Sequence, residues 1–562
     1  MRDALRQHLR AILDTYDAVP ADFEVELERP AQPEHGDWAT NTAMRLASVL
    51  KNNPRAIAEE LAEALRARVD PNRVSAVEVA GPGFINIRLA DTYLTDQLAS
   101  ALKAGSSFGR TTTGAGTTAI VEYVSANPTG PLTVGHGRNA VLGDTVATLL
   151  EWTGCDVTRE YYYNDAGRQM RVLAQSVRAR YEALVADVEM KTLTHEDGST
   201  VEVPVSFPDD GYQGAYIIDI AQALADEHGA ALLTTDSLRP FQDKAEAVIF
   251  AEIEGTLARL GIEMDDYFNE RRLYDDNRVN ETVERLTEAG YTYEKDDALW
   301  FKTTEFGKDK DTVLIKQTGE PTYRTPDIAY HADKFERGFD AIIDVLGADH
   351  VATYPDVISA LDVLGYDTDR VEVLLYQFVT LVRGGEPVKM STRRANYVTL
   401  DDLINEVTAD VTRFFFLMRS ASTHLDFDLD LATEASDKNP VFYLQYAHAR
   451  ICSIYDKAAE VGLDATGDVD LTLLTHDDET ALIKELLRFP EVIDRAAAQR
   501  APHHVATYLR EVATAFSQFY GSCHIIGEDA SLGAARLKLA DATRTVLRNG
   551  LTVLGIDAPA SM

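Results

Sequence analysis

Strand-like runs at 119–124, 157–163, 340–346 and 372–378 recur between longer stretches whose apolar residues follow helical spacing. Strands that alternate with helices predict βα units and a largely parallel sheet. Upstream, residues 1–108 read as amphipathic helices, a loop at Glu34-His35-Gly36-Asp37-Trp38, and a strand at Phe84–Leu89 introduced by Gly81-Pro82-Gly83. This is the pattern of a small α+β domain. A Gly-, Ser- and Thr-rich stretch, 105–118, marks its boundary. Residues 188–208 read as an inserted hairpin or loop. From 437 the pattern is helical throughout, with Asp437 or Asn439 as N-cap and Pro440 in the first turn of a long helix reaching Tyr455. A last helix is predicted over 532–554. The division that follows is 1–115, then 116–436 with insertions at about 176–290, then 437–562.

With 562 residues, 45% of them hydrophobic, the chain holds enough apolar surface for several cores. No apolar run is long enough to span a bilayer, the strongest being Phe414 to Met418, and the N-terminus lacks an export core, so a cytoplasmic protein is expected. Cys155, Cys452 and Cys523 are scattered, which predicts neither a disulfide framework nor a thiolate metal site. The net charge of -37, from 91 acidic and 54 basic residues, is spread through folded-looking sequence. Such a surface repels itself and any polyanion in dilute salt, whereas at about 1 M salt the Debye length falls to about 3 Å. A halophilic source is the expectation.

Chemistry concentrates in two segments. In the first, Glu122 to Asp144, the turn formers Asn127-Pro128 and Gly130-Pro131 lead to Gly135-His136-Gly137 and a helix over 139–150. A glycine-flanked helix start offers unpaired N–H groups to an anion such as a phosphate. The second, Pro387 to Tyr397, reads PVKMSTRRANY and is basic in an acidic chain.

Together these segments carry a resemblance. Thr133-Val134-Gly135-His136 resembles the HIGH motif, and Lys389-Met390-Ser391-Thr392-Arg393 the KMSKS motif, of class I aminoacyl-tRNA synthetases. ANPTGPLTVGHGRNAVLGD, YYYNDAGRQM from Tyr161, Gly211-Tyr212-Gln213-Gly214, TYRTPDIAYH from Thr322 and DKNPVFYLQYAHARI from Asp437 are similar to the arginyl-tRNA synthetase family, as are EHGDWATNTAMRLA and GPGFINIRL near the N-terminus. The implied fold is an α/β Rossmann-like nucleotide-binding catalytic domain with an N-terminal α+β domain and a C-terminal all-α helical bundle. The implied reaction joins L-arginine to tRNA(Arg) through arginyl-adenylate. ATP with Mg2+ is implied, with no structural metal, in a monomer.

The resemblance assigns residues. Pro128, Thr129, Gly130, Pro131, Leu132, Thr133, Val134, Gly135, His136, Gly137 and Arg138, with Lys389, Met390 and Ser391, form the ATP site; His136, Lys389 and Thr133 are the catalytic candidates. Thr133 and Thr392 depart from the motifs' histidine and lysine, and Arg393 or Arg394 supplies the missing cation. Lys316 is a further cation of this region. A guanidinium is a planar fork of donors that carboxylates accept in plane, so Glu122 and Asp327 are implied for the arginine side chain, Tyr323 as an aromatic wall, and Asn127, His136 and Asp349 nearby. On the helical domain Tyr443, Gln445, Tyr446, His448 and Arg450, about half of them inward, are candidates for tRNA contact, with Arg544 and Arg548 at i, i+4 on the last helix. Another class I synthetase, such as the cysteine enzyme, a nucleotidyltransferase, and an RNA-binding protein that has lost catalysis remain alternatives.

Overall fold

A five-stranded parallel sheet lies at the centre of the chain. Its strands and their main helices are β1 (Thr118–Glu122), α1 (Val134–Trp152), β2 (Asp156–Tyr163), β3 (Asp266–Asn269), α2 (Arg324–Glu336), β4 (Ala341–Gly347), α3 (Tyr354–Val363) and β5 (Val371–Tyr376). The sheet order is β5-β4-β1-β2-β3, with every pairing parallel. Ala119, Ile120 and Val121 of β1 are fully buried, as expected for a strand covered on both faces. From β1 the chain builds towards one edge, then returns to build towards the other from β4. The order therefore reverses between β1 and β4, and their outgoing connections part to leave a crevice at the strands' C-terminal ends. The computed structural model describes residues 1–194, 200–388, 398–527 and 529–562.

The predicted strands are present within a residue or two, but the span 176–290, read as an insertion, is not wholly one. It contains β3, the edge strand of the central sheet. The added structure before β3 is the hairpin Met190–Thr194 and Thr200–Pro204 with the helices Gly167–Val185, Ala215–His228 and Arg239–Arg259.

In the N-terminal region the strand Phe84–Leu89 lies between Trp38–Thr40 and Val74–Ala80, all antiparallel, under the helices Arg2–Leu13 and Pro54–Arg66. Gly83 has φ 145, and a Cβ there would sit 2.9 Å from the Pro54 carbonyl oxygen, so the turn requires glycine. The Gly- and Thr-rich stretch after it is pinned in place. Asn549 Nδ2 donates to the carbonyls of Gly105 and Phe108, each at 2.9 Å, and the Thr111 and Thr113 hydroxyls donate to Asp494.

The C-terminal region consists of Pro440–Glu460, Asp477–Leu486, Phe489–Ala498, His503–Ser522 and Ala530–Val553. Asn439 is the cap of the first, accepting the Val441 N–H at 3.0 Å, and the helix continues past Tyr455. Buried Arg413 ties three regions together. It donates to Asp144 Oδ2 on α1 at 2.6 Å, and to the carbonyls of Leu260 and Leu554 at 2.8 Å each. Among the described residues no helix is long and apolar enough to cross a membrane.

Candidate active site

Glu122 closes β1 and Asp344 lies beside it in register on β4, at the reversal of strand order. Two carboxylates so placed repel unless a cation intervenes. Lys334, wholly buried on α2, supplies it, with Nζ 2.5 Å from Glu122 Oε2 and 2.6 Å from Asp344 Oδ1. Burial disfavours the ammonium, yet Asp344 and Glu122 outweigh that penalty and hold its pKa above the usual lysine value. The ring of Tyr330 lies 4.3 Å from the same ammonium. Glu122, His331 and Asp344 present ligand atoms within 4.8 Å of one another, as a metal site does, but here the Lys334 ammonium meets the charge of both acids.

Beyond Glu122 the backbone turns through two consecutive left-handed residues, Val124 (φ 65) and Ser125 (φ 44). For β-branched valine this is a strained conformation that its surroundings must enforce. Asn139 of α1 does so, accepting the Val124 N–H at 2.6 Å while its amide donates to the Val345 carbonyl at 2.8 Å. The Ser125 hydroxyl donates to Glu122 Oε1 at 2.8 Å, which orients the carboxylate.

A cleft of about 870 Å³ opens above this corner, and Glu122, Asn127, His136, Tyr323, Asp327 and Asp349 all line it. The Asp327 carboxylate makes no hydrogen bond among the described residues. Burial pushes its pKa up to about 7, against His331 and Arg324, which lower it, and with Glu270 and Glu122, which raise it. Tyr323 is 68% exposed at the mouth. Asn127 joins β1 to β2, taking the Asn164 N–H at 3.0 Å and donating to Gln169 at 3.0 Å. Asp349 stands at the rim, beside Gly347, where a Cβ would lie 2.4 Å from its Oδ1. Lys316 is outside the cleft and pairs with Glu320 at 3.7 Å.

The first motif starts α1 earlier than the periodicity predicts, because Thr133 is its N-cap. The His136 N–H donates to Thr133 Oγ1 at 3.5 Å and the Thr133 N–H to His136 Nδ1 at 3.2 Å, a reciprocal cap. Nδ1 is thus an acceptor, so the neutral ring carries its proton on Nε2. Burial holds the His136 pKa below the usual imidazole value. A Cβ on Gly135 would meet only Thr133 Oγ1, at 3.7 Å, which leaves the helix start open to a ligand. Pro128 is buried and Pro131 half-buried in the loop. Thr129 is held by the Tyr216 hydroxyl, at 2.8 Å from its carbonyl, and Gly130 lies beneath that ring. Leu132 and Val134 are buried.

Two residues of this segment are turned away from the cleft. Arg138 is fully buried and spends its guanidinium on the carbonyls of Gln377, Ser420 and Thr423, because its position on α1 faces the protein interior. Gly137 faces inward too, where a Cβ would strike Leu400 at 2.5 Å. Lys389, Met390 and Ser391, with Thr392, Arg393 and Arg394, lie outside the described residues. Their downstream flank returns to the first motif: Thr399 bridges Thr133, and the Leu400 N–H donates to the Leu132 carbonyl at 2.8 Å.

On the helical region Tyr446, Arg450 and Arg548 are exposed and Tyr443 and Arg544 half-buried. His448 faces inward, with Nδ1 2.8 Å from the Pro559 carbonyl, and the Gln445 amide is used by Asp410 and the Asp557 carbonyl. The His448 ring is thus turned inward and the Gln445 amide nitrogen is engaged within the protein. The sequence reading also missed Ser125, Asn139, His331, Lys334 and Asp344. The available signals were an acid inside the apolar run Ala341–Gly347 and polar residues repeating every three or four positions along α2.

Residues 97–416 match the family described as tRNA synthetases class I (R), catalytic domain, residues 1–89 the arginyl tRNA synthetase N terminal domain, and residues 444–562 the DALR anticodon binding domain. The arginine–tRNA ligase of Salinibacter ruber is 70% identical over 562 residues, all of both chains. That of Desulfotalea psychrophila is 51% identical over 95% of this chain and 94% of its own. The solved arginyl-tRNA synthetase of Thermus thermophilus superposes with a TM-score of 0.77 at 22% identity over the whole of both chains, a likeness of fold. A switch-point cleft lined by acids, full-length identity at this level and three matched regions in order lead to one conclusion: the chain belongs to the arginyl-tRNA synthetase family and acts as an arginine–tRNA ligase.

Proposed function

We propose that the cleft at the β1–β4 junction is where arginine is activated. Asp327 and Glu122 receive the guanidinium in plane, Tyr323 closes over its side chain, and Asn127 and Asp349 meet the α-amino end. The observation that carries this reading is the Asp327 carboxylate, half-buried and without a hydrogen-bond partner among the described residues in a cleft shared with Glu122. A desolvated acid without a partner is costly unless a ligand cation completes it.

ATP lies across the start of α1, where the first N–H groups lack intrahelical acceptors, and the His136 Nε2–H donates to it. The open face of Gly135 fits a phosphate. Mg2+ accompanies ATP and supplies further charge neutralisation when bound. Lys389 neutralises the departing pyrophosphate, with Met390 and Ser391 in the same loop. Residues 1–115 contact the tRNA elbow, 116–436 form the catalytic domain and 437–562 read the anticodon region through Tyr443, Tyr446, Arg450, Arg544 and Arg548. The protein works as a cytoplasmic monomer in high salt. Steady-state kinetics of Asp327→Asn test the pocket: arginine KM rises while ATP KM holds, and an unchanged arginine KM removes Asp327 from it.

A further inference from the structure

The cleft-facing side of α2 carries Asp327, Tyr330, His331 and Lys334. His331 alone among them has no role so far. Both of its ring nitrogens meet acceptors: Nδ1 is 2.8 Å from the Asp327 carbonyl oxygen and Nε2 is 2.8 Å from Asp344 Oδ2. A neutral imidazole has one N–H and satisfies one of the two; the imidazolium satisfies both. Asp344 is not the proton donor, because Lys334 holds its other oxygen at 2.6 Å and favours the ionised form. Two cations, His331 and Lys334, thus balance two anions, Glu122 and Asp344, and leave the Asp327 charge for a ligand.

We propose that His331 is a positioning residue for arginine: as an imidazolium it ties the Asp327 carbonyl to Asp344, fixes the helical turn that presents the Asp327 carboxylate, and makes arginine affinity follow its own protonation. This rests on the arginine pocket proposed above. The charged groups around the ring are Glu122 from β1, Asp344 from β4, and Asp327 and Lys334 from α2; from α3, Asp356 is taken up by Lys308 and Arg324. Burial and Lys334 oppose the imidazolium, while Asp344 and Glu122 favour it, and the net shift is above the usual histidine value. The bonded pair is therefore intact below the usual histidine value and is lost as pH rises through the raised one. Asp327 acts with the opposite sign, since it must be ionised to bind a guanidinium. Arginine affinity then has an acid limb set by Asp327 and an alkaline limb set by His331.

The test is arginine KM against pH in ATP–pyrophosphate exchange with tRNA present, for the unaltered protein, His331→Gln and Asp327→Asn. His331→Gln raises arginine KM about tenfold at neutral pH, changes kcat less, and loses the alkaline limb. A purely structural defect lowers all rates and leaves the limb. Nitrogen NMR of the labelled imidazoles needs no variant to fold, and it shows one buried ring that keeps both nitrogens protonated to higher pH than the exposed rings. Retention of KM and of the alkaline limb in His331→Gln, or no doubly protonated buried ring, overturns the proposal. If Asp327→Asn raises arginine KM while His331→Gln does not, the positioning role alone fails; if Asp327→Asn has no effect, the pocket itself fails.

Discussion

Glu122 and Asp344 lie opposite each other on adjacent parallel strands, and a single buried ammonium, that of Lys334, bonds to one oxygen of each. The pair sits where the order of the sheet reverses, so the groups that stabilise this corner of the fold also shape the floor of the cleft. Removing the cation leaves two desolvated anions in contact. Lys334→Met is expected to destabilise the protein by about 3–5 kcal/mol, read as a lower denaturant midpoint with an unchanged slope.

Asp327 gives the cleft a pH signature. Its pKa is pushed up to about 7, chiefly by burial, and a bound guanidinium requires the ionised form. As pH falls below about 7, the carboxyl protonates and arginine KM rises about tenfold per unit. In Asp327→Asn this acid limb disappears, and arginine KM at neutral pH rises about 100-fold or more with ATP KM unchanged. Exchange kinetics between pH 5.5 and 8 measure both.

Four of the five strands of the central sheet were legible: Thr118–Glu122 and Ala341–Gly347 are mostly apolar and mostly buried, while Asp156–Tyr163 and Val371–Tyr376 are more exposed but rich in β-branched and aromatic residues or leucine. The fifth, Asp266–Asn269, is four residues long with polar ends at the sheet edge, and it carries no such run. The start of α1 was placed late because glycines lower helix propensity and a threonine N-cap outweighs them locally. Glu122 and Asp327 were found through resemblance, since one acid among many has no periodicity of its own. Lys334 and His331 read as ordinary polar helix positions; only the tertiary pairing of β1 with β4 turns that side of α2 inward.

The helical region separates exposed candidates from buried ones. Tyr446 is 47% exposed and stacks on Phe442 with rings 4° apart, which leaves a free aromatic face. Tyr446→Ala is expected to weaken tRNA binding about tenfold, as base stacking is lost. His448→Asn lowers the melting temperature and leaves tRNA affinity near that of the unaltered protein. Filter binding and thermal melting of the two variants distinguish these effects.

The excess of carboxylates makes stability depend on salt. With a net charge of -37, self-repulsion falls as ions screen the surface. The melting temperature is expected to rise by several degrees between dilute buffer and about 1 M KCl, where the Debye length is about 3 Å. A melting temperature that stayed level or fell across that range would remove the high-salt reading.

The most direct measurement is ATP–pyrophosphate exchange with each amino acid, with and without tRNA, in molar KCl and Mg2+, for the unaltered protein and Asp327→Asn. The account predicts exchange with arginine alone, and a loss in Asp327→Asn that added arginine restores. Exchange with another amino acid, or an Asp327→Asn protein whose arginine dependence is unchanged, would contradict it.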